Sequence, residues 1–199
     1  CAALRDNVYT LLAGALDVDA ERGRAFGEQL GIAPERCYAD YQTLFREEAQ
    51  RPDGIEVVSV TTPNNTHFAI TKAALEAGKH VVVDKPFTVT LSQARELESL
   101  AKHCGRILSV FHNRRWDSDF LTVSALINEG QLGEVCYFES HFDRFRPQVR
   151  QRWREQAGPG SGIWYDLAPH LLDQVVVLFG LPVSITVDLA QLRPGAQST

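Results

Sequence analysis

The sequence predicts an α/β protein: a parallel sheet flanked by helices, followed by a second domain of mixed α+β character. Three observations carry this. Strand-length apolar runs alternate with helical segments as far as Phe111, the rhythm of repeated β-α units. Two of those runs, Ile55–Thr61 and Val81–Val83, are apolar enough to be buried on both faces, as parallel strands are. Beyond Phe111–Asp119 the pattern shifts to strict alternation, as in YFESHFDRF, which suits an antiparallel strand with one solvated face. The boundary is therefore placed there, dividing residues 1–112 from residues 113–199.

Each element follows from local signals. Cys1–Asp6 reads as the end of a helix, and Thr10–Leu16 as a short strand closed by Asp17. Asp19 caps an amphipathic helix that runs to about Leu30 and stops at Gly31. Cys37–Ala39 is a brief strand, and Asp40 caps a helix to about Ala49. After the Arg51–Gly54 turn comes the strand Ile55–Thr61, broken by Pro63-Asn64-Asn65-Thr66. Thr66 is a suitable cap for a helix from His67 to Ala77, which Gly78 ends. The strand Val81–Val83, a helix Thr90–Cys104, a strand Arg106–Phe111 and a helix Asp117–Glu129 complete the first series. The long alternating strand Glu134–Phe145, an Arg- and Gly-rich loop, a helix from about Asp166 to Phe179 and a strand Val183–Leu189 follow.

Composition excludes several classes. The chain has 199 residues, 44% hydrophobic and 23% charged, with a net charge of -5 and a pI near 5.7. No basic surface dominates, which argues against a nucleic-acid partner. No apolar stretch approaches the roughly 18 residues of a membrane helix, and Cys1–Asp6 lacks the features of a signal peptide. Cys1, Cys37, Cys104 and Cys136 are scattered rather than paired, as free thiols in a reducing cytoplasm would be. No G-x-G-x-x-G turn occurs. A doubly wound sheet normally opens with a strand and such a turn, so the expectation is an internal piece of a longer protein, with the first domain incomplete at its N-terminal side and the second at its C-terminal side.

The residues that could carry chemistry sit at strand ends and on the last helix. Ligands of open parallel sheets bind beyond the carboxyl ends of the strands. Asp17, at the end of the first run, could accept hydrogen bonds from a ribose and repel a 2′-phosphate; it would equally serve as a loop aspartate. Thr62, Pro63, Asn64 and His67 follow the second strand, where free helix-start N–H groups suit a polar ligand, although Pro and Asn also simply make turns. Asp84-Lys85-Pro86 ends the strand Val81–Val83. Lys85 there could polarise a hydroxyl, or Asp84 and Lys85 could form a surface ion pair worth about 0–1 kcal/mol. Asp166 and His170 share a helical face, with Asp173 a turn further on. Histidine titrates near neutrality and is the usual general acid or base. The alternative makes Asp166 an N-cap, Pro169 a first-turn proline and His170 a core residue. One histidine and two acids are too few for a metal site. Trp153, Trp164 and Tyr165 flank Gly158–Gly162 and could stack on a sugar or simply pack.

Three separated strings, VSVTTPNNTHFAITKAALEAGKHVVVDKPF, SVFHNRRWDSDF and SGIWYDLAPHLLDQ, occur in an order that resembles the Gfo/Idh/MocA oxidoreductases. The resemblance implies an N-terminal NAD(P)-binding Rossmann domain and a C-terminal substrate and oligomerisation domain built on a large, mostly antiparallel open sheet. It implies hydride transfer between a nicotinamide and a carbon of a sugar, inositol or related polyol. By position, Lys85, Asp166 and His170 match the catalytic and substrate-binding set; Trp153 and Tyr165, from their place beside the glycine-rich loop, are further candidates to line the substrate. Asp17, Thr62, Pro63, Asn64, His67, Asp84, Lys85, Pro86, Asn113 and Arg115 match cofactor-lining positions. Asp84 stands where the family carries Glu, one methylene longer. The cofactor implied is NAD or NADP, with NAD favoured by Asp17. The implied setting is a cytoplasmic homo-oligomer, dimer or tetramer, without membrane or nucleic-acid partner. Two other readings use the same fold: a non-catalytic nucleotide or ligand sensor, and an enzyme that retains NAD and acts on glycosides.

Overall fold

A computed structural model describes residues 8–198; the helix end expected at Cys1–Asp6 lies outside the described residues. The chain divides into two compact units. The first contains the described part of Cys1–Val60, with Phe68–Val82 and Arg95–Ser109. The second collects Thr61–His67, Val83–Ala94 and the described part of Val110–Thr199.

In the first unit, helix α1 (Ala20–Gln29) starts at Asp19, whose carboxylate accepts the N–H groups of Glu21 and Arg22. Helix α2 (Tyr41–Glu48) starts at Asp40, which accepts Thr43 N–H at 2.7 Å. Such caps satisfy donors that the first helical turn leaves unpaired. Gly27 lets α1 approach the following segment, because a Cβ there would collide with Cys37 Sγ. Strands β1 (Val57–Val60), β2 (His80–Asp84) and β3 (Leu108–Phe111) form one sheet in the order β1-β2-β3. Helices α3 (His67–Glu76) and α4 (Leu91–Cys104) supply the crossovers that parallel neighbours require. Val60, Leu75, Val81 and Leu97 are almost fully buried. Truncating either leucine to alanine would cost roughly 2–5 kcal/mol.

The expected strand Thr10–Leu16 is reduced to a single parallel bridge between Gly14 and Cys37. Among the described residues, Gly14 N–H to Arg36 O and Tyr38 N–H to Gly14 O hold it, at 3.1 and 2.8 Å, too few bonds for a ladder. The brief strand Cys37–Ala39 is the other half of that bridge.

The second unit contains helices α5 (Ser118–Asn128) and α6 (Gly162–Phe179). Gly130, at φ 70°, follows α5 in the left-handed conformation that favours glycine. Helix α6 begins four residues earlier than expected, with Ser161 at its N-cap. Asp166 is therefore not a cap but lies in the second turn, and Pro169 lies inside the helix. The missing N–H of Pro169 leaves the Tyr165 carbonyl without its usual partner four residues on. Thr66 is likewise not a cap: it belongs to a 3₁₀ turn, Asn64–Thr66, that runs into α3. The alternating segment at 134–145 and the apolar segment at 183–189 form no strands. A strand exists only through bonds to a neighbour, and neither segment has one among the described residues, so the antiparallel sheet is absent there.

Candidate active site

The second unit holds the segments that follow all three strands: Thr61 onward after β1, Lys85 onward after β2, and His112 onward after β3. Helix α6 belongs to the same unit. Lys85 and Asp166, 81 residues apart, are brought into direct contact. The Lys85 ammonium donates to Asp166 Oδ1 at 3.2 Å and to the Asp166 carbonyl at 2.7 Å. Its side chain is 14% exposed, so the charge is largely withdrawn from water and fixed by its partners. Asp84 accepts the Lys85 backbone N–H at 2.8 Å, which sets the direction in which the chain leaves β2. The Lys85–Pro86 peptide is cis.

His170, one turn beyond Asp166, is 6% exposed, and its Nδ1 is buried without a protein partner. Burial pushes the imidazole pKa down to about 4, helped by the positive charges of Lys85 and Arg114 and opposed by Asp166. The ring is therefore neutral at pH 7 and can accept a proton. Asp173, the third member of the helical set, accepts both Arg115 nitrogens, Nε at 2.7 Å and Nη2 at 2.6 Å. This fork raises the Arg115 pKa further. His112 Nδ1 lies 3.7 Å from Asp173 Oδ1 and is also buried without a hydrogen-bond partner. Burial lowers the His112 pKa, and Asp173 offsets part of that effect. No sequence signal singled out His112. It occupies the place after β3 that Lys85 occupies after β2, which is the rule that could have found it.

The remaining expected residues divide into engaged and free. His67 is 1% exposed; its Nδ1 faces Pro86 O at 2.8 Å and its Nε2 faces Thr62 O at 2.9 Å. Asn64, 6% exposed, donates to Gly160 O at 2.7 Å. The His67 ring nitrogens and the Asn64 amide nitrogen, in two expected cofactor residues, thus face backbone carbonyls. Thr62 Oγ1 accepts from Thr66, Pro63 is exposed, and Asn113 is exposed in a 3₁₀ turn with Arg115. Tyr165 hydroxyl donates to Val89 O at 3.3 Å, and Arg154 stacks on Trp153 at 4.7 Å. Arg154 also reaches Asp166 Oδ1 at 3.7 Å. In the first unit, Asp17 accepts Asp19 N–H and Arg22 Nη2, each at 2.9 Å. These bonds hold its carboxyl below the usual range.

Residues 2–112 match the GFO/IDH/MocA profile described as an oxidoreductase family with an NAD-binding Rossmann fold, and residues 120–199 match the GFO/IDH/MocA C-terminal domain. The chain belongs to the GFO/IDH/MocA oxidoreductase family. It is 81% identical over 145 residues to the uncharacterized oxidoreductase YdgJ of Escherichia coli (strain K12), covering 73% of this chain and 42% of that protein. It is 43% identical over 165 residues to the scyllo-inositol 2-dehydrogenase (NADP(+)) IolW of Bacillus subtilis (strain 168), covering 82% of this chain and 46% of that protein. The crystal structure of an inositol dehydrogenase homolog from Azotobacter vinelandii, complexed with NADH and myo-inositol, is similar with a TM-score of 0.78 and 43% identity. That likeness covers 89% of this chain and 47% of the other. The chain thus spans less than half the length of these relatives.

For a member of this family, the orphaned atoms are the informative ones. A buried nitrogen without a partner is costly, and three of them, on His112, Arg114 and His170, lie in the same unit as Lys85 and Asp166. Among the described residues, no group of three or more His, Cys, Asp or Glu side chains is arranged to hold a metal ion.

Proposed function

We propose that this chain is part of an NAD(P)-dependent oxidoreductase acting on a CH–OH group of an inositol, sugar or related polyol, with a cofactor-binding region up to residue 112. The observation that carries the reading is the junction of Lys85 with Asp166, one helical turn before a buried, neutral His170. In the oxidation direction the imidazole of His170 accepts the hydroxyl proton. The Lys85 ammonium steadies the developing negative charge on that oxygen, and Asp166 holds the ammonium in place. Bound nicotinamide supplies the hydride acceptor, chemistry that belongs to the cofactor. The chain contributes placement, which can lower a barrier by several kcal/mol.

Asp17 is the acid assigned to the ribose hydroxyls. Thr62, Pro63, Asp84, Pro86, Asn113 and Arg115 are the strand-end residues assigned to the cofactor's remaining length. NAD is placed ahead of NADP, because a carboxylate at Asp17 disfavours a 2′-phosphate. Support for a polyol substrate comes from the similarity to the scyllo-inositol 2-dehydrogenase IolW and to the Azotobacter vinelandii homolog complexed with myo-inositol. The test is absorbance at 340 nm with NAD and NADP across a panel of inositols and sugars. Turnover with at least one member is expected. Nucleotide binding with no absorbance change across the panel would overturn the reading in favour of a sensor.

A further inference from the structure

The segment Thr62–His67 touches both halves of the proposed site without supplying a reacting group. His67 bridges two backbone carbonyls, Thr62 O at 2.9 Å and Pro86 O at 2.8 Å, and Pro86 follows Lys85 directly. Asn64 donates to Gly160 O, two residues before the start of α6, the helix that carries Asp166 and His170. Thr66 Oγ1 contacts Thr62 Oγ1 and Pro63 O, both at 2.7 Å, which stiffens the turn between them. Lys85 closes the circuit onto Asp166. The fit around Gly160 is tight: its φ is 75°, and a Cβ there would lie 2.9 Å from Val89 Cγ2 and 3.0 Å from Asn64 Cβ.

We infer that His67 and Asn64 are positioning residues: together they form a bracket that fixes Lys85 relative to helix α6, and they are not cofactor ligands. The inference rests on the oxidoreductase reading above for its kinetic consequence, but not for its structural one. Both ring nitrogens of His67 face carbonyl oxygens, which can only accept. A neutral imidazole carries one N–H, so the ring donates to one of these carbonyls and packs against the other, and that bond is nearly sealed from water. An ångström of misplacement at a reacting centre can cost about 100-fold in rate, so a bracket of this kind would act on turnover more than on binding.

The test combines kinetics, nucleotide binding and NMR on the purified protein and on His67→Ala, His67→Gln and Asn64→Ser. His67→Ala is expected to lower kcat by about 10–100-fold while the NADH dissociation constant, read by fluorescence, changes less than about twofold. His67→Gln, which keeps one donor, should recover part of the loss. If His67→Ala does not fold, His67→Gln and Asn64→Ser carry the same comparison with smaller losses. In the unsubstituted protein a His67 ring N–H should exchange with solvent far more slowly than that of exposed His103. A tenfold or greater loss of NADH affinity with kcat retained would overturn the inference, as would unchanged kcat in a folded His67→Ala. Should the unsubstituted protein turn over no polyol, the redox reading fails alone. Slow exchange at His67 would then still support the bracket, and exchange as fast as at His103 would overturn it.

Discussion

Two charge clusters on this chain, one buried and one half-buried, differ in how completely they are satisfied. In the first unit, Arg36 and Glu48 form a close bidentate pair with side chains 6% and 0% exposed. Asp53 takes the remaining Arg36 donors, and Tyr38 hydroxyl and Ile55 N–H complete Glu48. Burial alone would raise the Glu48 pKa, but Arg36 and these donors overcome it and hold it low. In the second unit, Lys85 and Asp166 are paired, yet the neighbouring His170 and His112 each keep a buried nitrogen unmatched. The Arg36–Glu48 pair itself is closed, although Arg51 Nε, 3.5 Å from Asp53 Oδ1, is buried without a hydrogen-bond partner beside it; a closed pair fixes a fold. An open one has capacity left for a ligand, and that difference separates a structural ion pair from a candidate site more sharply than burial does.

The comparison predicts that the two clusters fail differently. Lys85→Ala should depress turnover by about 10²–10⁴-fold while thermal stability and NADH affinity stay close to those of the parent; turnover kinetics and fluorescence titration check this. Glu48→Ala should do the reverse. It strands a buried guanidinium, which typically costs about 3–5 kcal/mol, and leaves kcat per folded molecule unchanged, as denaturant melts and active-fraction kinetics would reveal.

His170 gives the pH dependence its sign. Its folded pKa of about 4 lies below the ordinary 6.5, so the unfolded chain binds the extra proton between those values. Stability should therefore fall as pH drops from about 6.5 towards 4. His170→Ala should show a shallower decline over the same window, and its acidic pH–rate limb should flatten. Denaturant midpoints measured at several pH values test the first part. The smallest expected effect is at Asp17. Asp17→Ser should raise the NADP-to-NAD ratio of kcat/KM several-fold, because the repelling carboxylate is gone and Arg22, 2.9 Å away, is released.

How much was legible from sequence follows from what each signal contains. Caps at Asp19 and Asp40, stops at Gly31, Gly78 and Gly130, and the strand-end position of Lys85 all came from local chemistry, and all appear in the structure. The alternation at 134–145 was also real, but alternation specifies which face would be buried and not which strand would be the partner. The start of α6 was missed because Gly158–Gly162 reads as loop, while Ser161 caps without a side-chain hydrogen bond. The Lys85–Asp166 and Arg115–Asp173 contacts join residues 81 and 58 positions apart, a distance that spacing rules do not span. The His67 and Asn64 contacts to backbone carbonyls were likewise illegible, since no spacing indicates that a side chain folds back onto the main chain.

The central claim is that the amine of Lys85 and the imidazole of His170 act on one alcohol. It is tested most directly by incubating the protein with NAD and a carbon-deuterated inositol and following the label by mass spectrometry. The account predicts deuterium in the reduced nicotinamide, at a rate cut steeply by Lys85→Ala and by His170→Ala alike. Undiminished label transfer in either folded variant would contradict it.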